Sequence, residues 1–284
     1  MNRFCGLGAE LLMGGGNWAS MNARGMLLNL ASGADTHVKA ITGMSTATPA
    51  VAIVASTTGW DPDDEIAIYN VGGTLNTNQT FRINTVPNGT TFSLKTLEDG
   101  LPVVGTGTYT SGGVAVNLTK LNNVQDANAG RVGSDATINT KTQALGNLGC
   151  AAINWAAFTG SFDALLISEL VTDDTDSQPL IWVDGRAKVV LAAAASTSAT
   201  SLAVQKLSNP LASGTVLRFS NGINATLSGA AAIGDRVLAV SAISGGIAVG
   251  HEAEAYKTNP GFPGSSSGST FSLTFDNNLI FQRV

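Results

Sequence analysis

Residues 42–56, TGMSTATPAVAIVAS, 57–73, TTGWDPDDEIAIYNVGG, 76–96, NTNQTFRINTVPNGTTFSLKT, and 107–120, GTYTSGGVAVNLTK, form one string of short alternating runs. Apolar residues alternate with small polar ones, and a Gly, Pro or Asn-Gly step punctuates the string roughly every 8–12 residues, the rhythm of a small antiparallel sandwich or barrel. The spacing predicts a β-module over 41–120, set into a host chain that resumes after it.

Outside that module the host reads in three pieces, 1–40, 121–187 and 258–284. In the first, Leu7, Leu11 and Leu12 sit at helical spacing and Gly14-Gly15-Gly16 breaks the helix, after which residues 23–30 read as a strand. In the second, 151–158, 164–170 and 179–183 read as strands, the last preceded by the acidic turn Asp173-Asp174-Thr175-Asp176. In the third, STFSLTFDNNLIFQRV at 269–284 alternates apolar and polar residues around Asn277-Asn278.

Between the second and third pieces lies a segment, 188–257, that repeats itself. SLAVQKLSNPLASGTVLRF at 201–219 aligns with VLAVSAISGGIAVGHEAEA at 237–255, so that Leu202, Ala203, Val204, Ser208, Ala212 and Gly214 recur as Leu238, Ala239, Val240, Ser244, Ala248 and Gly250. This predicts strand, turn, strand, done twice, with Gly at turns that need positive φ. With both insertions removed, about 130 residues remain, the size of one ordinary domain. The expected fold is therefore mostly β: a discontinuous β-sandwich-like core with a short N-terminal helix, carrying two separate inserted β-barrel or sandwich modules on its loops.

Charged residues are 12% of the chain, about half of the ~25% usual in globular proteins, and Ser, Thr, Asn, Gly and Ala are abundant. Such a surface suits packing against copies of itself. The net charge of −5 and the lack of a Lys/Arg cluster argue against a nucleic-acid partner. The apolar run 189–195 is far too short for a membrane span, and residues 1–20 carry no signal-peptide pattern. Cys5 and Cys150 are too few for a disulfide framework; two buried thiols is the simpler reading, with a bridge between them left open.

Two resemblances follow from these residues. Ile41-Thr42, Pro49-Ala50-Val51, Gly59, Asp63-Asp64, Thr91-Phe92-Ser93-Leu94 and Tyr109-Thr110-Ser111-Gly112-Gly113 resemble the pattern of a small β-module found in tailed-bacteriophage genomes. That module is named after the first catalytic-cysteine half-domain of ubiquitin-activating enzymes. There is no cysteine in this segment, so no ubiquitin chemistry is implied. The host is similar to a family of short phage virion proteins. The matches are Leu11-Leu12-Met13-Gly14-Gly15 with Asn17-Trp18, Gly130-Arg131-Val132, Ala136-Thr137-Ile138, Lys141-Thr142, the run from Phe162 through Ile167, Phe275-Asp276-Asn277, and the closing Ile280-Phe281-Gln282-Arg283-Val284. Glu169 stands where that pattern has Tyr, and Phe275 where it has Trp. The resemblance implies a structural role in a virion, made in the bacterial host cytoplasm.

Candidate chemistry is sparse. The two histidines, His37 and His251, fall in different proposed modules, and no G-x-S-x-G elbow is present. Asp61, Asp63, Asp64 and Glu65, and again Asp173, Asp174 and Asp176, place carboxylates at near-alternate spacing, but neither has the frame of a Ca²⁺ loop and solvated turns explain both. Gly6-Leu7-Gly8 and Gly14-Gly15-Gly16 lack the strand, helix and Lys of a phosphate cradle. No catalytic, cofactor or metal residue is expected, and no cofactor. Trp155 and Trp182 read as core; Trp60, between Gly59 and Asp61, is the candidate for stacking on a glycan.

These readings converge on a non-enzymatic virion structural protein. A capsid decoration or cement protein on the head is expected first, a tail, collar or baseplate-fibre component second, and a host-glycan-binding adhesin module as the rival from another class. The expected partners are other virion proteins and copies of itself in a homo-oligomer, without nucleic acid or membrane. Trp18, Phe271, Phe275 and Phe281 are the candidate assembly contacts.

Overall fold

The computed structural model of this chain describes residues 2–5, 8, 12, 16–30, 37–144, 147–156, 158–256, 264–273 and 279–281. It is mostly β, as composition and alternation predict. The described residues divide into two compact units, one from 1–30, 118–185 and 260–284, the other from 31–117 and 186–259. The host is thus discontinuous as expected. The expectation of two separate lobes at 41–120 and 188–257 needs correction: the two insertions pack together as one unit.

The first unit is built on a five-stranded antiparallel sheet in the order Asn2–Phe4, Gln178–Val183, Ala164–Glu169, Ala23–Leu28, Ala136–Thr137. Smaller pairings bring the C-terminal piece home: Phe271–Leu273 onto Ile153–Trp155, Gly264–Ser267 onto Thr159–Phe162, and Leu279–Phe281 onto Asn147–Gly149. One face of the sheet buries Leu165, Ile167, Leu180, Ile181 and Val183 against Trp18, Trp155, Phe158 and Phe162. Arg24 and Arg131 grip Asp174 at 2.6 and 2.8 Å, and Arg24 also meets Asp135 at 3.0 Å. This square ties the acidic turn to the strand Ala23–Leu28. Cys5 and Cys150 are buried and unbridged, and burial pushes the Cys150 thiol up to about 12.

The first insertion closes into a six-stranded barrel in the order Val38–Met44, Val51–Val54, Thr91–Lys95, Thr80–Ile83, Glu65–Tyr69, Val114–Asn117. Closure leaves no unpaired sheet edge. Its core holds Ile41, Ile66, Ile68, Phe81, Phe92 and Leu94. Trp60 belongs to that core as well: it is 3% exposed, tilted against Phe92 at 5.2 Å and capped by the Lys39 ammonium at 4.9 Å. A glycan has no ring face to stack on there, which overturns the sequence expectation for this residue. The cause is the Thr57–Trp60 backbone turn, which folds the indole inward; a Gly-Trp-Asp string does not disclose which way it turns.

The second insertion is organised by its internal repeat. Ser201–Ala203 and Val237–Ala239 pair antiparallel with Leu202 opposite Leu238, so the equivalent leucines mark a pseudo-twofold axis. Moving each partner to its repeat equivalent maps the hydrogen bonds onto one another. Val204 N–H to Arg236 O becomes Val240 N–H to Thr200 O, and Gly214 N–H to Leu227 O becomes Gly250 N–H to Leu191 O. The reciprocal pair Ala195 and Ile247 becomes Leu211 and Ala231. These bonds run between repeats. The expected pair of self-contained hairpins is therefore corrected to two interlaced copies. Three-residue strands are too short to hold a hairpin alone; crossing lets each copy cover the other's leucines. Gly214 and Gly250 both have φ of +83°, the left-handed turns that their recurrence predicts.

Trp18 is fully buried in the first unit's core, and its indole N–H donates to Gly149 O at 2.8 Å. It has no surface to give a sibling copy, so its proposed assembly role is corrected to a core role. Phe271 is half-buried against the same core, 4.9 Å from Phe162. Phe275 lies outside the described residues, as do most of the residues of the expected N-terminal helix, although Leu12 joins the core. Phe281 ends the strand Leu279–Phe281. A Trp18→Ala substitution should cost the isolated chain about 3–5 kcal/mol in urea unfolding, the usual range for a large core aromatic, at every protein concentration tested. A loss that grows on dilution would instead make Trp18 an assembly contact.

Candidate functional site: a charge clamp and cleft in the inserted unit

The second insertion begins with the strand Arg186–Val190 and ends with Glu252–Tyr256, and these pair antiparallel. Arg186 and Lys188 alternate with alanine and valine along one, Glu252 and Glu254 with alanine along the other. The period of two sends the alanines into the module's own core, where Ala187, Ala253 and Ala255 are buried. It sends all four charges toward the barrel. They are buried too, with Arg186 at 2% and Glu252 at 1% exposure.

Buried charges persist only when paired and hydrogen-bonded, and the barrel completes the set. Arg186 donates to Ile68 O at 3.2 Å and Asn78 O at 3.1 Å, its guanidinium lies 4.4 Å over the Tyr69 ring, and its Nε is 3.4 Å from Glu254. Glu254 accepts from the Thr80 N–H at 3.0 Å and the Thr80 hydroxyl at 3.2 Å. Lys188 forms ion pairs with Glu252 and, at 2.8 Å, with Glu98 on the barrel, and Glu252 also accepts the Leu97 N–H. Burial pushes the Glu252 carboxyl above the usual carboxylate range, against the pull of Lys188. The result is a clamp joining two modules that the sequence places far apart.

The pseudo-twofold mate of this strand pair, Val216–Arg218 with Asn224–Thr226, also lies against the barrel. Gln79 donates to Arg218 O at 2.5 Å, and the Val104 N–H to Ser220 O at 2.8 Å. Gly222, with φ of +87°, turns this hairpin so close to Thr106 that a Cβ would come within 2.2 Å of its methyl. Beside the clamp opens a cleft of about 640 Å³. Its walls come from the barrel segment 68–79 and from Thr215, Val216, Arg218, Glu254 and Ala255.

The remaining candidate groups are held in structural bonds. Asp64 accepts from the Asp61 N–H and from Asn117, and Lys95 pairs with Asp63 at 2.5 Å, drawing that exposed carboxyl below its usual range. Asp176 accepts two backbone N–H groups of its own turn. Burial raises Asp174, but hydrogen bonds from Arg131 and Arg24 outweigh it and hold the carboxyl low. Among the described residues, no cluster of three or more His, Cys, Asp or Glu is placed to hold a metal ion. His251 Nδ1 sits 2.9 Å from the hydroxyl of the fully buried Ser220, and His37 O accepts from the Asn117 N–H. The sequence expectations missed Arg186, Lys188, Glu252 and Glu254. Their signal was present as R-A-K and E-A-E, charges at strand spacing in a chain otherwise poor in charge. No model of a known protein family matches this chain, and the search of curated proteins returns no match.

Lys188→Met leaves Glu252 buried without its cation and should destabilise the chain by about 3–5 kcal/mol in urea unfolding, whereas Lys188→Met with Glu252→Met should recover most of that loss. A double variant as damaged as the single would refute the pairing. A second check concerns pH. Burial holds His251 below its ordinary value of 6.5, so the folded state resists a proton that the unfolded state accepts. Its contribution to stability is complete above about pH 6.5 and falls as pH drops from there toward the folded-state value. His251→Gln should flatten the stability profile over that window, and an unchanged slope would remove His251 as its source.

Proposed function

We propose that this chain is a non-enzymatic structural protein of a tailed-bacteriophage virion, mounted on the capsid surface as a decoration protein. The observation that carries the reading is the use made of charge. Among the described residues, the most deeply placed acids and bases are engaged in structural bonds: the Arg186–Glu254 and Lys188–Glu252 pairs, the Arg24–Asp174–Arg131–Asp135 square, and His251 on a buried serine. What remains outside is rich in small polar residues, on closed or interlaced β-modules. Motif residues on the described strands support it too, with Thr91-Phe92-Ser93-Leu94 lying on a barrel strand and the Tyr109 hydroxyl bonded to Ile41 O and Gly112 O.

In this role the discontinuous core meets the capsid lattice or sibling copies, and the clamped unit is the appended part. Contacts repeated over a symmetric lattice add up, so each is permitted to be weak. With Trp18 in the core, the C-terminal segment with Phe271, Phe275 and Phe281 holds the remaining aromatic candidates for assembly. The glycan-binding alternative loses its support at Trp60. Mass spectrometry of purified heads and tails, separated after infection, tests the reading. On the order of hundreds of copies in heads is expected for a lattice protein. A few copies confined to tails would overturn the capsid placement, and absence from both fractions would overturn the virion role.

A further inference from the structure

The pseudo-twofold of the second insertion exposes an unequal pair. Glu254 opposite Lys188 on one strand pair corresponds to Arg218 opposite Asn224 on the other. Both Glu254 and Arg218 line the cleft against the barrel. Glu254 has its counter-charge, because Arg186 stands two residues before Lys188. The equivalent of Arg186 beside Arg218 is Gly222, which has no side chain and is held against Thr106. Arg218 is half-buried, and its guanidinium makes no hydrogen bond or ion pair among the described residues. Arg186 and Glu254 cancel each other, so the cleft carries one uncompensated positive charge in a chain whose net charge is negative.

One neutral group in the same walls is also unspent: the Thr215 hydroxyl, three residues before Arg218, has no partner among the described residues. Gln79 is 2% exposed, and its Oε1 makes no hydrogen bond. Its amide cannot be turned round to hide this, because Nε2 donates to Asn76 O at 2.7 Å and Arg218 O at 2.5 Å. A buried acceptor left without a donor costs about 1–3 kcal/mol, and because Oε1 has almost no accessible surface it lies behind the cleft wall, out of a ligand's reach. Leu75, 45% exposed, and Val216 supply apolar wall. The volume, about 640 Å³, falls in the range of small-ligand sites.

We propose that this cleft binds a carboxylate-bearing, hydroxyl-rich small molecule, an acidic sugar, with Arg218 forking the carboxylate and Thr215 taking a hydroxyl. An arginine presents two parallel donors that match a carboxylate, and one free charge calls for one anionic group. The proposal goes beyond the virion reading and does not depend on it. The sugar is bound either free or as a residue of an acidic polysaccharide, and both present the same group.

Isothermal titration calorimetry of the full chain with glucuronate, glucose and sulfate tests it, with an oligoglucuronate as a further arm. Glucuronate should bind, with glucose and sulfate at least about tenfold weaker, the scale of one lost charge-assisted contact. Tighter binding of the oligomer would make the polysaccharide the source; equal binding per residue would make it the free sugar. Arg218→Met should weaken glucuronate binding by about tenfold or more, while Arg236→Met, which removes an exposed arginine of the same module, should not. Circular dichroism checks folding, and Thr215→Val gives a second, milder loss should Arg218→Met fail to fold. No glucuronate binding, equal binding of glucose or sulfate, or full affinity in the folded Arg218→Met and Thr215→Val variants would each overturn the assignment.

Discussion

Two cations and two carboxylates taken out of water set the terms for the inserted unit. Arg186, Lys188, Glu252 and Glu254 are affordable inside a protein only where every lone pair and proton meets a partner. The barrel supplies backbone groups of Ile68, Asn78, Thr80 and Leu97 and the Glu98 carboxylate, and Glu252 Oε2 rests on its ion pair with Lys188 alone. The demand is directional, unlike apolar burial. Hydrophobic faces would let the modules slide; this arrangement admits one register. The clamp therefore contributes specificity of docking more than net stability.

The pseudo-twofold module shows how that specificity arises from a symmetric object. Both strand pairs face the barrel, yet one carries Arg, Lys and Glu while its mate carries Gly222, Asn224, Val216 and Arg218. Charge differences on an otherwise repeated frame choose which end docks where. The same differences leave Arg218 uncompensated. A duplicated fold with one copy committed to packing has the other copy's positions open to binding.

Much of this was legible in the sequence. Alternation and turn spacing gave the barrel, and the discontinuous host followed from strands on both sides of it: residues 23–30, 164–170 and 179–183 read as strands and lie in one sheet. The recurrence of Gly214 at Gly250 announced two equivalent turns. What did not read through was partnership. Period-two alternation tells which residues share a face but not what covers that face, so Trp60 and Trp18 looked available when the chain's own elements enclose them. The interlacing of the repeats was hidden for the same reason, since Leu202 has equal local affinity for either copy. The clamp charges were visible as an anomaly, but their meaning lay in a barrel many residues upstream.

The inserted unit draws on two stretches of chain, 31–117 and 186–259, with 118–185 belonging elsewhere. On a ribosome adding ~5–20 residues per second, the barrel emerges on the order of 3–14 seconds before Arg186 follows it. Throughout that interval the Thr80 and Leu97 amides and the Glu98 carboxylate wait solvated, as polar groups that water serves well. A docking face made of apolar side chains would have spent those seconds as a target for self-association. Building the seam from charge keeps the half-made protein soluble until its second stretch arrives.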